Sequence, residues 1–345
     1  MAFQSRFSRN LTFLALLALA VGIIQGTAAA QYVVTNLVSN QAGVGKFQDT
    51  SLVNGWGIAF SPTGAFWISD EGTGLSTLYT GKGVKQSLVV TIPTSSGVGT
   101  GSPTGMVFNA SSTDFVVTQN GKSGAAPFIF DTLDGTISGW SPTVNATKAV
   151  VAVTNAGAIY TGLAIGTSGS ANFIFAADNK NNKVDIYDKN FAFVKSFTDT
   201  TLPAGSNPYG IQNINGQLYV TFTTSTGGGV VDIFDTAGNF VKTFSKDRHL
   251  KSPWGLALAP SNFGSAKNAV LVGNLGDGRI SAFDATTGAF KGQLKDATRT
   301  IISIDGLWAL AFGAGNSLNG QTNQLFFSAG PNFYANGLFG VIATH

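Results

Sequence analysis

The stretch Tyr209–Phe244 (YGIQNINGQLYVTFTTSTGGGVVDIFDTAGNFVKTF) decides the fold. Short runs rich in Val, Ile, Tyr, Phe and Thr alternate in it with Asn-Gly, Gly-Gly and Ala-Gly turns. This pattern is typical of short antiparallel strands joined by hairpins. It predicts four strands, at Tyr209–Asn213, Gln217–Phe222, Val230–Phe234 and Phe240–Phe244.

The same pattern recurs along the chain. The pair Val231–Asp235 and Phe240–Phe244 repeats the pair Val184–Asp188 and Phe193–Phe197 at the same spacing. An aromatic residue or Thr, followed by Gly or Ala and a short apolar run, occurs six times, at Trp56–Phe60, Thr104–Phe108, Thr161–Ile165, Tyr209–Ile211, Trp254–Leu258 and Trp308–Phe312. Four antiparallel strands in each repeat of about 40–50 residues are typical of a propeller blade. The sequence therefore predicts an all-β, six-bladed β-propeller with four-stranded blades.

The two ends of the repeat array complement each other. The last unit offers only three strands, at Trp308–Phe312, Gln324–Ser328 and Leu338–Ile342. The strand-like run Tyr32–Val38 has no unit of its own. We predict that this N-terminal strand joins the last blade as its outer strand, which closes the ring and protects a sheet edge. Residues 31–345 then form one domain.

The composition excludes several classes of protein. Only 11% of the 345 residues are charged, against roughly 25% in an ordinary domain, and Glu71 is the single Glu, so a helical bundle is not expected. The formal charge is +3, and no Lys/Arg cluster lies beside an aromatic platform, which argues against nucleic-acid binding. The chain has no Cys, which excludes thiolate catalysis and Cys-ligated zinc or iron–sulfur sites.

The N-terminus has the pattern of a secretory signal peptide. Arg6 and Arg9 precede the apolar run Leu11–Ile24, and Ala28-Ala29-Ala30 gives a small-residue cleavage site. The alternative is a membrane anchor, but at about 1.5 Å per residue this run is shorter than a hydrocarbon core of roughly 30 Å. We expect residues 1–30 to be removed and the protein to be secreted, extracellular or periplasmic, as a monomer without a membrane span.

Two sets of motifs resemble known propellers. Asn207–Ile211 (NPYGI) and Ser252–Leu256 (SPWGL) resemble the first strands of NHL-repeat propellers. The chain is more closely similar to an uncharacterised family of secreted bacterial propellers, through Asn54–Asp70, Gly121–Trp140 and Thr161–Asp188. Many members of that family carry a C-terminal sorting segment, which this sequence does not show, so anchoring by that route is not expected. The resemblance implies the fold and export, and no particular activity.

The propeller geometry indicates where a site would lie. Residues just before a first strand and just after a second strand meet on one face, around the channel mouth, and loops on such a scaffold often carry function. We expect the ligand-binding residues there to be Asn54, Ser102, Asn120, Asp178, Asn207, Ser252 and Asp305. Oxygen ligands suit Ca²⁺, and the candidate metal ligands are Asp70, Glu71, Asn179 and Asn274. The alternative is that these Asp and Asn residues cap turns.

Three functions remain open. The leading hypothesis is a binding or interaction module for a small molecule, a glycan or a protein at the channel mouth. The second is a Ca²⁺-dependent hydrolase or lactonase, since the oxygen-rich ring resembles that of gluconolactonase-like and paraoxonase-like propellers. The third is a lyase-type propeller that uses His249 as a general base, although a loop His is otherwise simply solvated. We expect Trp56, Tyr209, Trp254 and Trp308 to pack between blades rather than to stack a flat ligand.

Overall fold

A computed structural model describes residues 1–2 and 31–344. The predicted signal peptide, residues 1–30, therefore falls almost wholly outside the described residues, and its removal stays a prediction. In the described part, regular structure consists of β-strands and one short 3₁₀ turn, Gly264–Ala266. None of the helices in this part of the chain has the length and apolar character needed to cross a membrane.

The strands are short, as the turn-rich sequence predicts. In chain order they are β1 (Tyr32–Ser39), β2 (Phe47–Gln48), β3 (Gly55–Ala59), β4 (Phe66–Asp70), β5 (Leu75–Tyr79), β6 (Lys85–Thr91), β7 (Pro103–Phe108), β8 (Val116–Gln119), β9 (Lys122–Ala125), β10 (Phe128–Thr132), β11 (Thr136–Trp140), β12 (Val150–Thr154), β13 (Tyr160–Ser168), β14 (Ala171–Asp178), β15 (Lys183–Asp188), β16 (Phe193–Phe197), β17 (Asn207–Ile214), β18 (Gln217–Thr223), β19 (Gly229–Asp235), β20 (Phe240–Ser245), β21 (Pro253–Leu258), β22 (Ala269–Asn274), β23 (Ile280–Asp284), β24 (Phe290–Gln293), β25 (Leu307–Phe312), β26 (Gln324–Ala329) and β27 (Leu338–Thr344).

These strands form six antiparallel blades around a central channel. From first to fourth strand the blades are β3-β4-β5-β6, β7-β10-β11-β12, β13-β14-β15-β16, β17-β18-β19-β20, β21-β22-β23-β24 and β25-β26-β27-β1. The first strands contact one another in a closed cycle, in the order β3, β7, β13, β17, β21, β25 and back to β3. The predicted all-β, six-bladed propeller with four-stranded blades is confirmed.

The N-terminal strand closes the ring. β1 runs antiparallel to β27, with Tyr32 opposite Thr344 and Ser39 opposite Leu338, so it is the fourth strand of blade 6 as predicted. The short strand β2 then pairs with β1 in parallel and covers its outer edge. The Tyr32 hydroxyl accepts a hydrogen bond from the Ala266 amide at 2.9 Å, which ties the same strand to blade 5. Closure therefore rests on backbone pairing and packing, in a chain without disulfides.

The core is divided among the blade interfaces. Six clusters of buried apolar side chains lie in the described residues, and each joins two neighbouring blades. Between blades 1 and 2, for example, Trp67 stacks on Phe128 with ring centroids 4.0 Å apart. Between blades 6 and 1, Phe66 packs on Phe326 at 4.3 Å. Each blade thus buries both faces, and the ring is needed to bury all of them.

Blade 2 departs from the expected strand assignment. Its second strand is β10, and the hairpin β8–β9 is inserted between the first and second strands. Asn120 lies in the turn of this hairpin, directly after Gln119, whose side-chain oxygen accepts from Asn145 Nδ2 at 2.9 Å in the loop that follows β11. The prediction that Asn120 lies at the channel mouth beside Ser102 is therefore wrong. The inserted hairpin moves it to the opposite face of the propeller.

The repeated motif coincides with a break in strand register. In every blade the pairing between first and second strands shifts at the aromatic or Thr residue and its neighbour, for example between Pro208 and Ile211 around Tyr209. Such a bulge re-aims a side chain. The Gly that follows permits close approach of the next blade, because a Cβ on Gly210 would collide with the Trp254 carbonyl oxygen. The motif therefore sets both the ring spacing and the direction of the aromatic side chains.

Candidate functional site at the channel mouth

Four aromatic side chains fill the part of the channel that lies next to the mouth. Trp56 stacks on Trp308 with ring centroids 3.7 Å apart, and Trp254 meets both rings edge-on, at 6.4 and 6.0 Å. Tyr209 meets Trp308 at 5.8 Å. These residues come from blades 1, 4, 5 and 6, so the rings pack against one another across the channel. The prediction that they pack between neighbouring blades is wrong in its location, because the bulges turn them inward.

Hydrogen bonds hold this cluster in place. The Trp308 indole Nε1 donates to Asn54 Oδ1 at 2.8 Å, and Asn54 Nδ2 donates to Glu71 Oε2 at 2.7 Å. The Trp254 indole Nε1 donates to the Thr161 carbonyl at 2.8 Å, across the channel from blade 5 to blade 3. A single chain of contacts thus connects the buried aromatic rings to Glu71 at the mouth.

A cleft of about 350 Å³ opens on the mouth side of this cluster. Ser252 and Leu275 of blade 5 form one wall, and Asp305, Phe333 and Tyr334 of blade 6 form the other. Tyr334 packs on the buried Trp308 with ring centroids 5.7 Å apart, whereas the Phe333 side chain is 95% exposed. The cleft therefore has an aromatic wall with one ring fully presented to solvent.

The loop that carries these two aromatic residues has an unusual backbone. Asn332, Phe333 and Tyr334 are three consecutive residues with φ of 58°, 54° and 69°. This left-handed conformation costs an L-residue roughly 1–2 kcal/mol, and Phe and Tyr have no compensating side-chain hydrogen bond to the backbone. The turn is held by the Asn332 amide, which donates to Asp305 Oδ2 at 2.8 Å, and by the Asn336 carbonyl, which accepts from the Asn54 amide at 3.0 Å. Strain of this kind is concentrated at functional sites.

The cleft lining contains, among the described residues, one carboxylate, Asp305, and no positively charged side chain. Burial and the nearby Asp305 carboxylate raise the pKa of Tyr334, so its hydroxyl keeps its proton at neutral pH. Burial, with a smaller contribution from Tyr334, raises the pKa of Tyr209 as well. Asp305 is the charged residue of the cleft lining, and it is exposed. The cleft therefore offers hydroxyl donors and a carboxylate acceptor beside aromatic faces.

The four candidate calcium ligands do not share one set of contacts. Asp70 is fully buried, faces Thr77 and the ion pair of Asp49 with Lys85, and has a pKa raised well above its usual value by burial. Glu71 bonds Asn54 instead. Asn179 donates to the Pro208 carbonyl at 2.9 Å, and Asn274 donates to the His249 carbonyl at 2.7 Å. In the described residues no group of three or more His, Cys, Asp or Glu side chains is close enough to share a metal ion.

The other expected ligand-binding residues lie on the mouth face but differ in their availability. Asn54, Ser252 and Asp305 adjoin the aromatic cluster or the cleft. Ser102 and Asn207 begin the first-strand segments of blades 2 and 4, outside that cleft lining. Asp178 is fully buried and accepts from the Ile159 and Asn181 amides at 3.2 and 3.3 Å, as a turn-capping residue does.

His249 lies against the outer part of blade 5. Its ring stacks on Phe290 of the fourth strand β24, with centroids 3.8 Å apart and planes 8° apart. Its Nδ1 lies 2.6 Å from Asp247 Oδ1. The loop of His249 lies on the mouth face as expected, since its carbonyl accepts from Asn274, but the stack on Phe290 places the ring outside the cleft lining. Its role as a general base stays a prediction.

Phe333 and Tyr334 were missed by sequence reasoning. They lie in the turn between β26 and β27, where the sequence Pro331–Gly337 (PNFYANG) reads as an ordinary loop. The available signal was two adjacent aromatic residues in a turn bounded by Pro-Asn and Asn-Gly. Phe333, which is 95% exposed in this turn, contributes little to a core and therefore calls for a functional explanation.

Comparisons with known proteins agree with the fold. No family model matches the chain. An uncharacterized protein of Acanthamoeba polyphaga mimivirus is 31% identical over 224 residues, which is 59% of this chain and 41% of that protein. The chain thus spans less than half of that relative. A second uncharacterized mimivirus protein is 28% identical over 336 residues, or 91% of this chain and 81% of the relative.

A solved structure shows the same architecture. The PQQ-bound aldose sugar dehydrogenase of Streptomyces coelicolor aligns over 92% of this chain and 99% of its own, with a TM-score of 0.54 and 13% identity. At that identity the likeness concerns the fold alone. The chain is thus a six-bladed β-propeller.

Proposed function

We propose that this chain is a secreted, monomeric binding module that holds a neutral glycan in the cleft at the channel mouth. The observation that carries the proposal is the strained turn Asn332–Tyr334, which presents Phe333 almost fully to solvent beside the open cleft. An aromatic face stacks on the apolar face of a sugar ring, and the Asp305 carboxylate and Tyr334 hydroxyl suit its hydroxyl groups. Export is supported by the signal-peptide pattern and by the resemblance to NHL-like secreted bacterial propellers.

Glycan-array screening followed by calorimetric titration tests this proposal. Phe333→Ser should weaken the best glycan about tenfold, the order of magnitude for loss of one stacking contact. Phe240→Ser is the matched control, because Phe240 is also an exposed Phe but lies on the outer strand β20. Equal affinity of Phe333→Ser and the parent protein, or the absence of any glycan ligand, would contradict the proposal.

The calcium-dependent hydrolase is a second candidate, and one observation favours it. Asn54 is fixed by Trp308 and in turn orients Glu71, so the only Glu of the chain is held at the mouth. Thermal unfolding in chelator and then in Ca²⁺ tests it, because a ligand at about 100 times its Kd stabilises the native state by roughly 2.7 kcal/mol. A reversible upward shift that is lost in Glu71→Gln supports a metal site. An unchanged midpoint rejects it.

A further inference from the structure

The channel has a second cavity at the end opposite Phe333. It measures about 560 Å³ and is lined by the ends of the first strands of all six blades. The fifth position of the repeated motif supplies one lining residue per blade, namely Phe60, Phe108, Ile165, Asn213, Leu258 and Phe312. We call this cavity the vestibule. It is separate from the cleft, because the aromatic cluster lies between them.

Outside blade 4, which contributes Gln212, Asn213 and Asn215, the side chains that line the vestibule are apolar, and several are packed against rings behind them. Phe60 packs edge-on against Phe66 with centroids 4.8 Å apart, and Phe312 packs edge-on against Phe263 at the same distance. Phe108 meets Phe128 at 5.5 Å. Rings fixed in this way need no rearrangement to receive a ligand, and the volume falls in the range of roughly 300–1,000 Å³ typical of small-molecule pockets.

Blade 4 is the exception in this wall. The fourth motif position is Ala or Val in the other five blades and Gln212 in blade 4, and the fifth position is apolar in five blades and Asn213 in blade 4. Asn213 is already engaged, since it donates to the Ile165 carbonyl and accepts from the Gly216 amide, both at 2.9 Å. Gln212 is exposed and has no side-chain hydrogen bond within the described part of the chain. It also lines the narrow space of about 30 Å³ below Trp254.

We propose that the vestibule binds a small uncharged molecule with an apolar ring body and one amide or carbonyl group. The apolar body would lie against blades 1, 2, 5 and 6, and its polar group would pair with the Gln212 side chain, which can both donate and accept. No charged residue is among those that line the vestibule in the described structure, so a charged ligand would be desolvated without a partner.

Two probes separate the apolar and polar parts of this inference. Naphthaleneacetamide carries the amide, and methylnaphthalene is the hydrocarbon control. Titration of the purified full chain should give saturable binding of one molecule per chain for both probes. Naphthaleneacetamide should bind about three- to tenfold more tightly, the order of magnitude for one neutral hydrogen bond.

The repeat itself supplies conservative variants. Ala311→Gln gives blade 6 the residue that blade 4 carries at the equivalent position, so the strand can accept it, and it should weaken both probes at least tenfold by filling the vestibule. Gln212→Ala gives blade 4 the residue of blades 1, 3, 5 and 6. It should abolish the preference for the amide and leave methylnaphthalene binding unchanged. Leu258→Asn, which gives blade 5 the residue that blade 4 has at Asn213, replaces Ala311→Gln if that variant does not fold.

The opposite end of the channel provides the control. Phe333→Ser should leave both probes unaffected, so this inference and the glycan proposal fail independently. Absence of saturable binding would overturn the inference, as would equal affinity in Ala311→Gln or loss of binding in Phe333→Ser. Circular dichroism and the thermal midpoint verify that each variant is folded.

Discussion

The two ends of the channel are made from the same six inner strands but differ in chemistry. At the vestibule the strands end in apolar side chains, and the sixfold repeat is visible apart from Gln212 and Asn213. At the mouth the strands begin beside loops of different length, and the cleft lies between loops of blades 5 and 6, one of which contains Phe333 and Tyr334. The repeat therefore dictates one end, whereas loops that depart from the repeat dictate the other.

Side chains, rather than backbone, keep the two ends of the channel apart. Aromatic side chains re-aimed by the bulges fill the space between the cleft and the vestibule. A propeller of this size would otherwise contain an open channel, since first strands ring the axis without meeting across it. Variants of the aromatic cluster, the inner strands and the mouth loop test this difference between the two ends.

Trp308→Ala should have the largest effect, because it removes the ring at the centre of the aromatic cluster. Trp308 is 1% exposed, and truncation of a buried Trp costs about 3–5 kcal/mol. Urea unfolding measures the loss. Trp254→Ala should cost less, since Trp254 is only half-buried. An equal loss of stability in the two variants would mean that Trp308 does not lie at the centre of the aromatic cluster.

Asp131→Asn tests the inner part of blade 2, where Asp131 accepts a hydrogen bond from Thr104 of the repeated motif. Asp131 is buried on β10, where burial raises its pKa to about 7 while a hydrogen bond from Thr104 opposes the rise. The folded protein then holds this proton more tightly than the unfolded chain, whose value is near 3.8, so stability falls as the pH rises from about 4 to about 7. This rise in the pKa of Asp131 corresponds to at most roughly 4 kcal/mol in the free energy of unfolding.

The stability of Asp131→Asn relative to the parent protein should therefore increase between pH 4 and pH 7 and stay constant above pH 7. Urea unfolding across this range measures it. Asp284→Asn is the control, because hydrogen bonds from Thr287 and Thr286 lower the pKa of the exposed Asp284 below its ordinary value of 3.8, so its difference in stability from the parent should stay constant between pH 4 and pH 7. A constant difference between Asp131→Asn and the parent would show that Asp131 does not titrate near pH 7.

Gly210→Ala should have an intermediate effect on both ends. The added Cβ would meet the Trp254 carbonyl oxygen of the next blade, and overpacking of this kind costs about 1–3 kcal/mol. Ala309 occupies the equivalent position in blade 6, and Ala309→Gly should cost no more than about 1 kcal/mol. Thermal unfolding compares the two. A Gly210→Ala variant as stable as the parent would refute close approach as the reason for Gly.

Phe333→Gly should give the smallest change in stability and should separate stability from binding. Gly adopts positive φ without strain, and the exposed Phe333 buries little, so the variant should gain about 1 kcal/mol. Glycan affinity should fall at the same time. Phe240→Gly, at an ordinary strand position, should instead lose stability. A less stable Phe333→Gly would show that the turn is not strained.

Much of the fold could be predicted because its determinants are local. The strands of blade 4 and the three strands of blade 6 were placed within one or two residues at most boundaries, since alternation and turn residues are read directly from sequence. The expectation that Asn120 follows the second strand of blade 2 failed, because the preceding run Val116–Gln119 reads as a strand whatever its partner is. Only the pairing register reveals that it belongs to an inserted hairpin.

The candidate site was predicted less completely for a related reason. The sequence places Asn54, Ser252 and Asp305 on the correct face, because chain direction alternates from strand to strand. The sequence does not show that Asp70 and Glu71 have different partners, or that the His249 ring stacks on Phe290. These facts depend on side-chain directions that are chosen by packing.

The sequence by itself determined the all-β class, the number of blades, the closing strand and the face on which polar loops meet, because strand period, turn chemistry and repeat length are local properties. Tertiary structure alone decided which side chains share space. The bulges turn Trp56 and Trp308 across the channel, and the contacts of Asp305 and Asn54 hold Asn332–Tyr334 in a conformation that its residues do not prefer. Such choices depend on the sum of many contacts between blades, which no single stretch of the chain contains.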